Sequence, residues 1–398
     1  MANKLRKIVS NELFEWMREI RRTIHQQPEL GFREEKTSAL ISGFLEQLDI
    51  KHKTGIAKTG VVGKIIVDKK APTVALRADM DALPVIESTG LTFSSKTPGV
   101  MHACGHDGHV AIMLGAAAIL KKNPPDGNAV FIFQPSEESE GGARPMIEEG
   151  ALKGVDMIFG GHIEPDFNIG EIGIKTGLHT SYTDAFEIRI TGKGGHAARP
   201  HETIDAVVIA SRLVMDLQTI VSRETDPFSP VVITVGYINA GTVHNVIAEK
   251  ATLKGTIRTI DELTRSQMID RIRKTASSLS LLHGADIQVV LFPGYPPVIN
   301  EEKATELARD AAVDLLGEKN VVSIPLPGLG GEDFAYYLHK VPGCFVRLGG
   351  ARKGAEIVES HSPRFDFDEE VLRVGAAYFS ELVRYALKKL RRDGQVRN

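Results

Sequence analysis

Eight consecutive residues, HACGHDGH at positions 102–109, carry more metal-binding chemistry than any other stretch of this 398-residue chain. They include three histidines, an aspartate and one of only two cysteines in the sequence. Thiolate, imidazole and carboxylate groups are ligands that zinc-type ions take. Cys104 and His106 can bind an ion from one turn, but a tetrahedral or five-coordinate ion needs further ligands. Those ligands have to come from distant parts of the chain.

The composition excludes several classes of protein. Hydrophobic residues make up 42% and charged residues 25% of the chain, as in ordinary globular domains, and the net charge of -3 predicts no basic face for nucleic acid. No 18-residue apolar stretch is available to span a membrane. The basic N-terminus is soon interrupted by glutamates, so no signal peptide is predicted. We therefore expect a cytoplasmic protein with reduced cysteines and with neither a nucleic-acid nor a membrane partner.

The first 179 residues alternate between apolar strands, polar loops and helices. Strands rich in apolar residues are predicted at 61–67, 73–79, 129–133 and 155–159. Helices are predicted at 4–27 and 107–122, because apolar residues recur there at spacings of three and four. This order is typical of an α/β fold with a largely parallel sheet and helices on both faces.

The pattern changes near residue 180. Alternating strands are predicted at 185–191, 231–238 and 251–259, with helices at 202–222 and 261–283. Two helices on an antiparallel sheet form an α+β layer, and the α/β pattern returns after it. We therefore predict an α/β domain in two pieces, residues 1–179 and 291–398, with a second domain inserted at 180–290.

Polar side chains fall where the predicted strands end. Those that follow strands are Asp79, Asp81, Glu137, Glu138 and His162. Cys104 and His106 lie on the loop that opens the helix at 107–122, and His361 lies in loop-like sequence before the terminal helix. In open α/β sheets, ligands bind beyond the carboxyl ends of the strands. We expect these scattered residues to meet at that rim.

Each of these residues also has an ordinary structural interpretation. Adjacent carboxylates such as Glu137 and Glu138 commonly form a solvated surface, and His162 and His361 can be partly buried histidines with satisfied hydrogen bonds. The glutamates, however, follow an apolar strand and stand in a Gly/Ser loop. Because consecutive side chains point in different directions, one carboxylate can bind a metal while the other acts as a base toward a water.

The candidate ligands outnumber what one zinc ion takes from a protein. They are Cys104, His106, Glu138, His162 and His361. A site for two bridged ions accounts better for five ligands. Asp79, Asp81 and Asp107 can bind the ions, orient the ligands from behind, or cap turns and the following helix, and we favour the orienting role.

Motifs of other enzyme classes are incomplete. The sequence contains neither an HExxH helix nor a GxSxG elbow. His162-Ile163-Glu164 matches half of the nucleobase-deaminase signature, but no PCxxC completes it. Residues 192–197 fit a GxGxxA pattern, but Pro200 interrupts the helix that a dinucleotide site requires there.

Six motifs follow one another along nearly the whole chain. They are RADMDALP, MHACGHDGH, the EE pair, GHxxP, GKGGHAARPHETIDA and HSPRFDFDEE. In this order they resemble the M20 metallopeptidase family and, within it, the amidohydrolase branch. That branch includes N-acyl-amino-acid amidohydrolases, hippurate hydrolases, auxin-conjugate hydrolases and broad-specificity carboxypeptidases. Ala248 departs from the family, which usually has proline at that position.

The resemblance assigns roles to both predicted domains. It implies that the two-piece α/β domain is catalytic, with the five candidate ligands as metal ligands and Glu137 as general base and acid. The inserted domain would be a lid that also forms a homodimer or a higher oligomer. His196 resembles a family histidine that reaches the partner subunit's site and stabilises the oxyanion. Asn245 and Arg258 resemble lid residues that hold the substrate carboxylate or the oxyanion.

The implied activity is that of a dinuclear metal-dependent amidohydrolase. It would cleave the amide bond of N-acyl amino acids or short peptides with a free carboxylate, using two divalent ions per subunit. The ligand set favours Zn²⁺, while Mn²⁺, Co²⁺ and Ni²⁺ also fit by geometry. A carboxypeptidase or dipeptidase with the same machinery is the close alternative. A non-catalytic metal-binding module is the alternative from another class, but Glu137 argues against it because such a carboxylate is superfluous for structure.

Overall fold

The chain divides into two compact units. The computed structural model describes residues 2–352, 354 and 356–395. The first unit comprises Met1–His179, Val298–Leu326 and Asp333–Asn398, and the second comprises Thr180–Pro297 and Pro327–Glu332. The second unit thus interrupts the first in the sequence.

The two units contain both helices and strands. The helices are α1 (Ala2–Ile8), α2 (Asn11–Gln26), α3 (Glu35–Gln47), α4 (His106–Lys122), α5 (Ala143–Glu148), α6 (Ala206–Thr219), α7 (Glu262–His283), α8 (Glu302–Leu316), α9 (Ala335–Leu338) and α10 (Glu370–Gln395). The strands are β1 (Lys51–Ile56), β2 (Gly60–Ile65), β3 (Thr73–Asp79), β4 (Asn128–Gln134), β5 (Met157–Asn168), β6 (Ile172–Ile174), β7 (Gly177–Leu178), β8 (Tyr182–Thr191), β9 (Gly195–His196), β10 (Val231–Ala240), β11 (Val246–Ile247), β12 (Lys250–Thr259), β13 (Asp286–Phe292), β14 (Ile299–Asn300), β15 (Val321–Ser323) and β16 (Gly343–Ala351).

The first unit is built on an eight-stranded sheet in the order β1-β2-β4-β3-β5-β16-β6-β15. Its central strands β4, β3, β5 and β16 run parallel, and β15 pairs in parallel with β6. The pairs β1–β2, β2–β4 and β16–β6 are antiparallel. The predicted α/β fold with a largely parallel sheet is therefore confirmed.

Successive residues of β4 are buried on opposite faces of this sheet. Phe131 and Phe133 pack into a core that includes residues of α2, α4, α8 and α10. Val130 and Ile132 pack into a second core with residues of α5 and α9. Because side chains alternate along a strand, both faces of the sheet are covered by helices, as predicted.

The helix predicted at residues 4–27 is two helices, α1 and α2. Ser10 lies between them with extended backbone angles, and its hydroxyl accepts a hydrogen bond from the Leu13 amide at 3.3 Å. A serine in this position caps the start of a helix and satisfies one of its free N–H groups. The apolar periodicity runs across the break, which is why the sequence pattern does not reveal it.

The second unit is an α+β layer with its own core. Its four-stranded antiparallel sheet has the order β10-β12-β8-β13. Residues of α6 and α7 pack on this sheet, and the core includes Phe186, Leu253 and Ile272. Strand β13 is an addition to the three predicted strands. It forms an edge of the sheet, where its residues are half-buried or exposed and the apolar signal is weak.

None of the helices within the described ranges is both long enough and apolar enough to cross a membrane.

Candidate metal centre

Strand ends and one helix start bring the candidate residues of the first unit together. Strand β3 ends at Asp79, and β4 ends three residues before Glu137. Helix α4 begins at His106, directly after Gly105, whose φ of 89° is a conformation that suits glycine. His162 lies within β5, and not after it as predicted, because the pairing of β5 with β16 continues past this residue.

The five predicted ligands lie close to one another. Ligand atoms of Cys104, His106 and His162 lie within 4.8 Å of each other, as do those of Cys104, Glu138 and His361. The Cys104 Sγ is 3.2 Å from the His162 Nε2. The Glu138 Oε1 is 3.1 Å from the His361 Nε2 and 3.8 Å from the His106 Nε2. The donor set is that of a site for zinc-type ions.

Two of the histidines are oriented by hydrogen bonds at Nδ1. The His106 Nδ1 is 2.9 Å from the Asp81 carbonyl oxygen, and the His162 Nδ1 is 2.8 Å from the Ile163 carbonyl oxygen. A carbonyl oxygen only accepts, so each Nδ1 carries a proton, and each Nε2 offers a lone pair when the ring is neutral. The His106 Nε2 is buried and has no hydrogen-bond partner among the described residues. A metal ion satisfies such an orphaned nitrogen, so the residues fit a metal centre.

The charges around the donors also favour a cation. Burial disfavours protonation of His106, but Asp79 and Asp81 outweigh it and raise its pKa to about 10. Burial, together with Glu138 and Glu137, raises the pKa of the Cys104 thiol well above its usual range. The thiolate form of Cys104 therefore needs a cation beside it, and the same carboxylates that favour a proton on His106 favour a cation there.

The Glu137 carboxylate lies beside the candidate ligands. Glu137 is 8% exposed, and one of its carboxylate oxygens lies within 4.8 Å of ligand atoms of His106 and Glu138. The pair of glutamates is therefore not a solvated surface. Its first member is buried beside two of the predicted ligands.

Of the three aspartates, Asp81 links two of the candidate ligands. Its Oδ1 is 3.2 Å from the His106 Nδ1, and its Oδ2 accepts a hydrogen bond from the Glu138 amide at 3.0 Å. Asp79 accepts from Arg77 at 2.7 Å, and its Oδ2 is also 3.8 Å from the His106 Nε2. Asp107 binds Arg21, at 3.1 Å. These contacts suit the orienting role that we favour for Asp79 and Asp81. Asp107 lies on α4 and instead binds Arg21 and His25 of α2.

Sequence reasoning did not single out His109, which lies in the same cluster. Its Nδ1 is 2.5 Å from the Asp79 Oδ1, and its Nε2 accepts a hydrogen bond from the Ile163 amide at 2.9 Å. Both ring nitrogens are therefore occupied, so His109 connects the end of β3 to the residue after His162. The eight-residue cluster contained this histidine, but spacing alone does not separate it from the ligands.

An ion pair between Arg347 and Glu164, which the sequence did not predict, lies beside His162. The Arg347 guanidinium donates to the Glu164 carboxylate at 2.5 Å and, through Nε, to the His179 Nε2 at 3.0 Å. The Glu164 Oε1 is also 3.5 Å from the His162 Nδ1. Arg347 stands opposite His162 in the pairing of β16 with β5, which sequence alone does not give.

His25, near the end of α2, lies between two carboxylates. Its Nδ1 is 2.8 Å from the Asp107 Oδ2, and its Nε2 is 3.3 Å from the Glu87 Oε1. Burial disfavours the charged imidazole, but the two carboxylates outweigh it and raise the pKa of His25 to about 9. Protonated His25 is therefore part of the folded state at neutral pH.

The raised pKa of His25 makes its contribution to stability depend on pH. A pKa raised from 6.5 to about 9 stabilises the fold fully below pH 6.5, and the contribution is lost as the pH rises through about 9. We expect His25→Gln to lower the urea midpoint more at about pH 6 than at about pH 10. The fluorescence of Trp16, the sole tryptophan, reports this transition. An equal deficit at both pH values would contradict the assignment.

The remaining predicted site residues belong to the second unit. His196 is exposed on β9, which pairs with β11. The Asn245 carbonyl oxygen accepts a hydrogen bond from the Ala197 amide at 3.2 Å, which places Asn245 beside His196. Arg258 lies on β12, half-buried, and burial lowers its pKa although Asp184 acts in the opposite direction.

The α/β fold and the cluster of thiol, imidazole and carboxylate groups define a candidate metal centre, and the similar proteins support a hydrolase that acts on amide or peptide bonds. Comparison with known proteins identifies the family. The chain belongs to peptidase family M20/M25/M40, whose model matches residues 75–385. The resemblance drawn from the six motifs is confirmed.

Similar proteins have names that describe several activities. IAA-amino acid hydrolase ILR1-like 2 from Arabidopsis thaliana is 42% identical over 393 residues, which cover 97% of this chain and 89% of the relative. Thermostable carboxypeptidase 1 from Saccharolobus solfataricus is 42% identical over 384 residues, which cover 94% and 96%. The crystal structure of the Bacillus subtilis YXEP protein, a dinuclear metal-binding peptidase of the M20 family, matches with a TM-score of 0.81 and 36% identity, over 95% of this chain and 99% of that one.

Proposed function

We propose that this protein is a dinuclear metal-dependent amidohydrolase that cleaves the amide bond of N-acyl amino acids or short peptides with a free carboxylate. The observation that carries the proposal is the buried Glu137 carboxylate, which lies within 4.8 Å of donor atoms of His106 and Glu138. A metal site that served structure alone would not require a carboxylate there. A base beside metal ligands is the arrangement that metal-assisted hydrolysis uses.

Five side chains would hold the ions. They are Cys104, His106, Glu138, His162 and His361. Two ions account for five ligands better than one does. The dinuclear metal-binding description of the Bacillus subtilis relative supports this number. We assign Zn²⁺ on the ligand types, with Mn²⁺, Co²⁺ and Ni²⁺ as the alternatives that geometry allows.

In the proposed reaction, Glu137 transfers protons. Divalent ions supply Lewis acidity when bound, since they polarise an amide carbonyl and acidify a water. The Glu137 carboxylate accepts the proton of the attacking water and returns it to the nitrogen of the leaving amine. Its burial keeps bulk water from competing for that proton. Asp81 keeps the loop in place, because it accepts a hydrogen bond from the Glu138 amide.

In this proposal the first unit is the catalytic domain, formed by separate pieces of the sequence. The second unit, inserted between them in the sequence, acts as a lid and as a dimerisation domain. His196 would stabilise the oxyanion in the partner subunit's site, a contribution typically worth about 3 kcal/mol. Arg258 suits a substrate carboxylate because a guanidinium binds it through two parallel hydrogen bonds, and Asn245 would assist there. We further propose a homodimer or a higher oligomer that works in the cytoplasm.

A carboxypeptidase or dipeptidase is the second candidate function. The name of the Saccharolobus solfataricus relative favours it, while that of the Arabidopsis thaliana relative favours an N-acyl amino acid. Both use the same proton transfer and differ in the group that precedes the scissile bond.

Substitution of the proposed base tests the function. We expect Glu137→Gln to lower kcat by about 10²–10⁴-fold, because the amide cannot accept the proton of the water. The bound metal per chain should stay unchanged, since Glu138 and the other ligands are intact. Glu140→Gln is the matched control, because Glu140 is an exposed carboxylate of the same loop. Full hydrolysis by Glu137→Gln would refute the proposed mechanism.

A further inference from the structure

We propose that Glu34 is a positioning residue for Glu137, because its buried carboxylate fixes the backbone immediately before the base. The inference rests on the proposed function, in which Glu137 transfers the proton. Glu34 lies more than a hundred positions earlier in the sequence and directly precedes α3. The two residues are connected through Ser136, which Glu34 contacts.

The Glu34 carboxylate binds two donors from different parts of the fold. Its Oε1 accepts a hydrogen bond from the Ser136 amide at 2.9 Å, and its Oε2 accepts one from the Thr59 hydroxyl at 2.6 Å. Glu34 is 0% exposed. Burial raises the pKa of its carboxyl, while the hydrogen bonds from Thr59 and Ser136 act in the opposite direction. Burying a carboxylate is costly unless it is hydrogen-bonded, so the two hydrogen bonds of Glu34 indicate a specific role.

Ser136 has a backbone conformation that needs external support. Its φ is 55°, in the left-handed region that residues other than glycine rarely adopt. Such a conformation persists only where the surroundings hold it, and these conformations cluster at functional sites. Because Glu137 is the next residue, the backbone angles of Ser136 set the direction in which the Glu137 side chain leaves the loop.

The loop is held on both sides of Glu137 by buried carboxylates. Glu34 accepts from the amide before Glu137, at Ser136, and Asp81 accepts from the amide after it, at Glu138. The carbonyl oxygen of Ser136 accepts from the amides of Gly141 and Gly142 at 3.0 Å each, which closes the loop behind it. Asp81 also contacts the proposed ligand His106, so it supports both the loop and the metal site. Glu34 instead contacts the backbone of the loop just before Glu137.

The segment that carries Glu34 packs tightly against the same loop. A Cβ atom on Gly31 would lie 2.4 Å from the Ser139 Oγ and 2.7 Å from the Ser136 Oγ. A side chain at position 31 would have to displace both serine side chains, so glycine permits this close approach. The carboxylate and the glycine, three residues apart, both bear on Ser136. Their common target supports a positioning role over a general contribution to packing.

The test compares three variants at Glu34 with a matched control. We expect Glu34→Ala to lower kcat by about 10²-fold with little change in KM or in metal content, because a small misplacement of the base slows proton transfer. Glu34→Gln should restore most of kcat, since its oxygen accepts from Ser136 and its amide donates to Thr59. Glu34→Asp keeps the charge but is too short to reach both donors, so it should lower kcat in the same direction.

Glu29→Ala is the control from the same segment. The Glu29 carboxylate accepts hydrogen bonds from the Lys36 and Thr37 amides at the start of α3 and so contributes to local stability. We expect Glu29→Ala to lower the melting temperature while kcat stays near the wild-type value. A fall in kcat equal to that of Glu34→Ala would show a general effect of this segment and would overturn the proposal.

Ser136→Gly separates positioning from other effects. Glycine adopts the left-handed conformation without support. In the Glu34→Ala background, we expect Ser136→Gly to recover part of the lost kcat. Wild-type kcat in Glu34→Ala, or no recovery with Ser136→Gly, would overturn the role of Glu34. Full activity of Glu137→Gln would instead refute the proposed function, so the two failures are distinguishable.

Discussion

Removal of divalent ions with a chelator is expected to abolish hydrolysis, and return of about two ions per chain should restore it. The physical reason is the donor set, in which the buried His106 Nε2 has no hydrogen-bond partner among the described residues and burial raises the pKa of the Cys104 thiol. The experiment restores Zn²⁺, Mn²⁺, Co²⁺ and Ni²⁺ separately and measures bound metal together with cleavage. A panel of N-acetyl, N-benzoyl and Z-blocked amino acids and dipeptides then ranks the two candidate functions.

The two cysteines provide a matched pair of variants for this experiment. Cys104→Ala removes a proposed ligand and should lower both the metal content and the activity. Cys344→Ala removes the other buried cysteine, on β16, and should leave the metal content unchanged. Two bound ions without cleavage of any substrate would favour a metal-binding module. A protein that binds no ions would contradict the site itself.

The sequence predicts where the metal-binding side chains lie better than it predicts which residues hold them in place. Asp79 is the last residue of one strand and Glu137 follows another, and the order of strands and helices predicts that these strands pair in parallel. Their meeting at one edge of the sheet could therefore be predicted. The place of His162 within β5 could not, because it depends on how far β5 pairs with β16.

Supports from distant segments escape sequence reasoning for a different reason. In the sequence, Glu34 is an ordinary charged residue at the start of a helix. Its proposed role depends on the hydrogen bond that it accepts from the Ser136 amide, which is distant in the sequence. His109 reads as a ligand candidate equal to His106, and only its two hydrogen bonds show that both nitrogens are occupied. Residue type and spacing predict which groups can bind a metal, whereas the contacts decide which of them are free to do so.

The largest effect on stability is expected from the arginine buried behind the metal centre. Arg21 is 1% exposed and donates to Asp107 at 3.1 Å, to Asp366 at 2.7 Å and to Glu369 at 3.1 Å. Its guanidinium also stacks on the ring of Phe367, at 4.1 Å from the centroid. Arg21→Met fills a similar volume but removes the buried cation that the three carboxylates share. We expect the free energy of unfolding to fall by about 3–5 kcal/mol, as when one partner of a buried ion pair is removed.

Arg22→Met separates this effect from the loss of any arginine on α2. Arg22 also binds Glu369, at 2.6 Å, but its side chain is 37% exposed. A pair of this kind contributes about 0–1 kcal/mol, because water and salt screen it. Urea unfolding followed by the fluorescence of Trp16, on the same helix, measures both variants. Equal stability of the two would show that Arg21 does not neutralise the carboxylates around Asp107. A large deficit in Arg21→Met alone would show that Arg21 neutralises these carboxylates, one of which, Asp107, lies on α4 next to His106.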